Sequence, residues 1–274
     1  MTDSESQTAL DKSSANCSQG YIMLIKLQRI VAGFGFLAAT VGLWAQFSED
    51  PHTVAPGKFL LEMDALTFSV KHDDNYKYKA LGLATATVTT GITSSLDVQV
   101  LAQVYLSQQI ELAGFTDRRS GLGDMEVRTK WKFYDEGGTA VAVLPYVKFP
   151  TSSDGVGSDA VEGGIIVPWS TQLPTGFTLT AQGELAYLRN PSDTGYDTHV
   201  GFAGYVSHPI IGGLGAYAEA ITDKSAGGDP FVGYMGVGLT LAVGSHATWD
   251  YALYKGISDG ANDWNTVLRF NFSF

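Results

Sequence analysis

The chain has 274 residues, a charged fraction of 16%, a net charge of −11 and a mean hydropathy of +0.04. A helical membrane protein would be far more apolar, and a nucleic-acid binder would need clustered Lys and Arg. Thirty-two glycines, with 13 Tyr and 14 Phe, suit many short strands joined by turns.

Residues 23–45 have the layout of a secretory signal peptide. Lys26 and Arg29 form the basic start, 30–43 the apolar stretch, and Ala45 a small residue at the cut site. The apolar run is shorter than the roughly twenty residues of a spanning helix. An uncleaved anchor helix is the alternative. The polar stretch before it has no assigned role, and Met23 is the expected start. The single cysteine, Cys17, falls in this discarded part, and Ser14-Ala15-Asn16 before it lacks the apolar run of a lipoprotein signal. The mature chain is then expected to have no disulfide and no Cys-based metal site or nucleophile. The expected organisation is 1–45 leader and signal peptide, 46–57 a short periplasmic N-terminal segment, and 58–274 a barrel.

From residue 58 onward, polar and apolar residues alternate with period two, so successive side chains face opposite sides of a sheet. In 123–134, Asp124, Glu126, Arg128, Lys130 and Lys132 share one face while Met125, Val127, Thr129, Trp131 and Phe133 share the other. Strands are expected at 58–71, 79–92, 97–110, 123–134, 139–150, 162–172, 177–190, 197–209, 214–224, 231–243, 247–257 and 264–274. Alternation is weaker in 79–92 and 231–243. Connections after even-numbered strands are short (93–96, 135–138, 173–176, 210–213, 244–246). Most of those after odd-numbered strands are longer and more polar (73–78, 111–122, 151–161, 191–196, 225–230). Short turns on one side and long loops on the other predict an all-β, transmembrane, antiparallel up-and-down barrel of about twelve strands, with the short side periplasmic. In lipid a free sheet edge has no water to satisfy it, so the sheet must close. Phe270, Phe272 and the terminal Phe274 have the spacing of a barrel-assembly signal. The competing fold is a soluble secreted β-sandwich or lipocalin-like barrel, with apolar residues inside.

The stretch Gly121-Leu-Gly-Asp-Met-Glu-Val-Arg-Thr-Lys-Trp-Lys-Phe133, followed by Ala140-Val-Ala-Val-Leu-Pro-Tyr-Val-Lys-Phe-Pro-Thr151, resembles the outer-membrane β-barrel family of the meta-pathway of phenol degradation, also labelled "transporter". The resemblance covers roughly 58–274. It implies uptake of aromatic compounds rather than phenol chemistry, and it carries no residue-level site.

Catalytic signals are sparse. His52, His72, His199, His208 and His246 show no metal-ligand spacing. Ser245-His246 lies in an expected turn. Ser207-His208 are strand neighbours facing opposite ways, so they cannot meet as nucleophile and base. The glycines of Gly121-Leu-Gly123 and those at 233, 236 and 238 lack the Lys-Ser/Thr of a phosphate loop and are expected to be kinks or bulges. No enzyme activity, cofactor, metal or nucleic-acid partner is expected. The expected partners are outer-membrane lipid, the barrel-assembly machinery and a small-molecule solute.

By alternation the enclosed face includes Glu62, Asp64, Asp124, Glu126, Arg128, Lys130, Lys132, Lys148, Glu184, Glu219, Asp250 and Arg269. Facing lipid near the midplane, each Lys or Arg would cost about 2–4 kcal/mol. Enclosed, these charges either select solutes in a pore or fill the interior as a salt-bridged plug. The three functional readings are a passive channel for small, aromatic or hydrophobic solutes, a plugged structural or adhesive barrel, and an outer-membrane hydrolase.

Overall fold

A computed structural model describes residues 48–73, 76–190 and 194–274; the expected leader and signal peptide at 1–45 lie outside the described residues. Every regular element among the described residues is a strand: β1 (Phe59–Asp73), β2 (Tyr76–Thr93), β3 (Leu96–Leu112), β4 (Phe115–Gly121), β5 (Met125–Glu136), β6 (Thr139–Phe149), β7 (Glu162–Gln172), β8 (Thr178–Arg189), β9 (Tyr196–Ile211), β10 (Leu214–Ser225), β11 (Val232–Val243), β12 (Ala247–Gly256) and β13 (Trp264–Ser273). Each strand pairs antiparallel with its neighbours, and β13 pairs with β1, so the sheet closes. β4 and β5 both pair with β3, on its upper and lower halves, and so form two lengths of one stave. The barrel therefore has twelve staves, as the sequence predicts.

Strand positions follow the predicted ones closely, with one difference. The segment 111–122, expected as a loop, contains β4, which folds back on β3 through Ala113 and Gly114 at φ 50° and 84°. A two-residue turn with both φ positive is the hairpin turn that matches strand twist, but Ala rarely occupies its first position. That is why Ala113-Gly114 did not register as a turn.

The two weakly alternating strands also have a local cause. On β2, Thr85, Thr87 and Thr89 face inward below Ala84, while Tyr78 and Gly82 face inward above it. Ala84, at φ 54°, is the point where the parity flips. On β11 the inward positions Gly236 and Gly238 lie under the rings of Tyr254 and Tyr217, where a β-carbon would overlap them. These glycines are seats for rings rather than kinks.

Polarity is inverted relative to a soluble barrel. Arg128, Glu219 and Asp250 are 2–3% exposed on the inner face, whereas Phe202, Val237, Tyr187 and Trp131 are more than half exposed on the outer one. This removes the lipocalin-like alternative, whose apolar residues would lie inside. Aromatic rings gather near the short-turn rim: Phe59 stacks on Phe274 at 5.6 Å, Phe274 lies 5.7 Å from Phe272, and Phe270 meets Trp249 at 5.0 Å. Phe59 and Phe274 also exchange backbone hydrogen bonds of 2.9 and 3.0 Å at the closing seam. Phe274→Ala removes two ring contacts worth roughly 0.5–1.5 kcal/mol each. The expected result is a smaller fraction of heat-modifiable, closed barrel after refolding, read on an unboiled gel.

Candidate functional site: the barrel lumen

All twelve residues predicted for the enclosed face point inward, but most are engaged. Arg269 donates to Asp64 at 2.6 Å across the closing seam. Glu62 stands beside them on β1, opposite Asn271 and Thr87. On β5, Arg128 pairs with its strand neighbour Glu126, and Lys148 of β6 pairs with Glu162 of β7. Lys132 sits lower, 2.6 Å from Asp135 near the short-turn rim. Along the inner wall, over a single intervening strand, Tyr146 donates to Glu184 at 2.6 Å, Tyr254 to Glu219 at 2.7 Å and Tyr217 to Asp250 at 3.0 Å. Most of these buried charges are thus matched by ions and phenols, as burial away from water requires.

Sequence reasoning missed what fills the lower lumen. Residues 48–57 do not remain outside the barrel. The chain crosses the short-turn rim at Gly91, whose backbone bonds to Gly57 and Lys58, and then runs inward as a strap. Thr53 donates to the Ser94 carbonyl at 2.9 Å and the Val54 amide to Asp97 at 3.3 Å. Deeper in, Lys130 donates to the Asp50 carbonyl and Arg128 to the Glu49 carboxylate, both at 2.7 Å. The Glu49 amide donates to Gln182 at 2.6 Å. Ser48 reaches Glu219 through its amide and its hydroxyl, both at 2.9 Å. The strap therefore touches β3, β5, β8 and β10 and crosses the full width of the lumen. No local sequence signal marks this, because a short acidic segment carries no period.

At the rim, the Asp50 carboxylate lies 2.6 Å from half-exposed His52 and holds its imidazolium above the usual histidine pKa. The contribution of this pair is present at acid pH and is lost as pH rises through that raised value.

Gly91 allows the crossing: a β-carbon there would overlap the carbonyl oxygens of Val54 and Ala55. Gly91→Val is expected to displace the foot of the strap while leaving the staves paired. Single-channel conductance should rise, with unchanged heat-modifiable migration as the control.

The long-loop end is also covered. Asp124, predicted as a wall charge, is a loop anchor. Its carboxylate accepts the amides of Thr151, Ser152 and Ser158 at 3.1, 3.0 and 3.2 Å, with Lys148 at 3.8 Å. These bonds fold the segment 151–161 over the mouth and bury Val156. Between this loop and the strap lies a chamber of about 190 Å³. Its lining is mixed: apolar Leu106, Val156, Ile166, Leu188, Ile221 and Val232 stand among charged Glu49, Asp124, Glu126, Arg128, Lys148, Glu162, Glu184 and Asp223, and Ile166 pairs directly with Glu184 in the sheet register. The apolar part of the lining escaped sequence reasoning because inward Ile166 and Leu188 follow outward Ile165 and Tyr187, which turns alternation into an apolar run.

Catalytic arrangements are poor. Ser207 and His208 lie on opposite faces of β9, and His208 packs on Phe177 at 4.4 Å. Ser245 and His246 are 2.7 Å apart in an exposed turn. Among the described residues no cluster of three or more His, Cys, Asp or Glu is placed to hold a metal ion.

Residues 45–274 match the family described as "Putative MetA-pathway of phenol degradation". A comparison with curated proteins found no match. Among solved structures, an outer membrane channel from Pseudomonas putida F1 superposes with a TM-score of 0.64 at 11% identity, covering 82% of this chain and 98% of that one. The translocator domain of the autotransporter NalP from Neisseria meningitidis gives 0.50 at 12% identity, over 81% and 89%. The β domain of the Bordetella autotransporter BrkA gives 0.50 at 14%, over 81% and 100%. At these identities the likeness concerns the fold.

Proposed function

The chain belongs to this phenol-degradation family, and on that premise we propose that it is an outer-membrane channel for passive passage of small aromatic or otherwise hydrophobic solutes. In this reading the signal peptide at 23–45 exports it, the barrel-assembly machinery reads Phe270, Phe272 and Phe274, and the protein performs no catalysis. The observation that carries the reading is the enclosed chamber, in which a group of apolar side chains stands beside charges that are already paired. An apolar cavity of roughly 150 Å³ accepts benzene, so about 190 Å³ holds one ring with a small substituent. The paired charges of the lining favour an uncharged solute, because an ion would have to displace existing partners.

The test is current through single barrels in planar bilayers. Adding p-cresol to one side should produce brief, concentration-dependent interruptions, while glucose at equal concentration should not. Equal effects of the two solutes would remove the aromatic preference. A silent barrel would remove the channel itself.

The second reading, a plugged structural or adhesive barrel, is favoured by the strap, since it occupies the conduction path. The experiments on the strap separate the two.

A further inference from the structure

A net charge of −11 makes any unpaired cationic surface unusual on this chain. One lies on the outer face of β2, β3 and β4. In the register of these strands Lys79, Gln109 and Arg118 form one row, and Lys77, Glu111 and Thr116 the next. Tyr78, between the two lysines, is buried on the inner face, so both lysines point out. Glu111 is already engaged, by the Gln109 amide at 2.9 Å and by Lys77 at 3.8 Å. Asp117 is held by Arg119 at 3.1 Å. Among the described residues no carboxylate pairs with Lys79 or Arg118, and both are exposed. Directly beneath them the outer face becomes apolar, through the paired residues Phe68 and Leu81, then Leu66 and Leu83. The long loops lie at this same end.

We propose that this face binds a phosphate group of the outer-leaflet glycolipid, lipopolysaccharide, with its acyl chains lying over Phe68, Leu81 and Leu83. Lys79 and Arg118 are two strand spacings apart, about 9.5 Å, so their long side chains can converge on one phosphate. Arginine offers a bidentate fork and lysine a point charge, the combination that suits a phosphate monoester. Lys77 stands above as a second, already shared cation. A phosphorylated lipid matches both halves of the surface, whereas a soluble anion would leave the apolar half unused. The site rests on the outer-membrane seating proposed above.

The test uses full-length mature protein refolded in detergent without lipopolysaccharide and then titrated with lipid A, followed by native mass spectrometry. Wild type should retain lipid A. K79E/R118E should bind at least about tenfold more weakly, the effect of losing charge-assisted hydrogen bonds. R119E, on the other face, should bind as wild type. Lipid A stripped of phosphate should also bind weakly. Equal binding by wild type and K79E/R118E overturns the site. Inorganic phosphate binding as tightly as lipid A overturns the lipid assignment. If K79E/R118E fails to close on a heat-modifiability gel, K79Q/R118Q carries the same comparison. Conductance in phosphatidylcholine bilayers, free of lipopolysaccharide, tests the channel reading separately.

Discussion

Deleting residues 48–54 should raise single-channel conductance several-fold without opening the barrel wall. The strap is bound by Asp97, Lys130, Arg128, Gln182 and Glu219, yet no strand pairing among the twelve staves passes through it. Among the described residues its only sheet-like contact is the isolated bridge between Pro56 and Gly91, at the rim. Removing it therefore takes atoms out of the conduction path while the hydrogen-bonded cylinder stays complete. Heat-modifiable migration should be unchanged and the current steps larger. Unchanged conductance would mean that ions bypass the strap, and the account of a lumen closed from the short-turn side would fall.

The second large effect is on ion selectivity. Neutralising Arg128, Lys130 and Lys132 together as glutamines should shift the reversal potential in a salt gradient toward cation preference. Glu49 and Glu126 would then remain in the lumen without their partners. Removing one member of a buried ion pair costs about 3–5 kcal/mol, because the other charge is left uncompensated. Arg128 is 2% exposed and donates to the strap. Its loss should therefore loosen the strap as well, and conductance should rise with the change in selectivity. Glu49→Gln separates the two consequences. It removes the carboxylate shared by Arg128 and Lys130, leaving the Lys130 bond to the Asp50 carbonyl and the wall cations in place, so conductance should rise modestly while selectivity moves toward anions. If both variants shift selectivity in the same direction, the charges on β5 do not face the ion path.

Much of this molecule was readable before its structure. In 123–134 the charges and the aromatics separate by parity, and the structure keeps that separation, with Arg128 inside and Trp131 outside. Where parity flips within a strand, as at Ala84, the one-dimensional signal fades although the strand persists. The hairpin at Ala113-Gly114 was hidden because its turn uses a residue type that seldom adopts positive φ. The predicted wall charges all lie on the inner face, but their roles were not readable. Asp124 ties down a loop, Lys132 pairs with Asp135 near the rim, and Arg128 holds a distant segment of the same chain.

The amino-acid sequence by itself determined the closed sheet, its twelve staves and which side of each stave is greasy, because these follow from a period of two and from turns between neighbours. Tertiary structure decided that the lumen is filled from below, covered above and left with a chamber of mixed apolar and charged lining between. The partners that do this are remote, 79 residues apart for Glu49 and Arg128 and 171 for Ser48 and Glu219. No local pattern encodes such a meeting, which depends on the cylinder having closed around the strap.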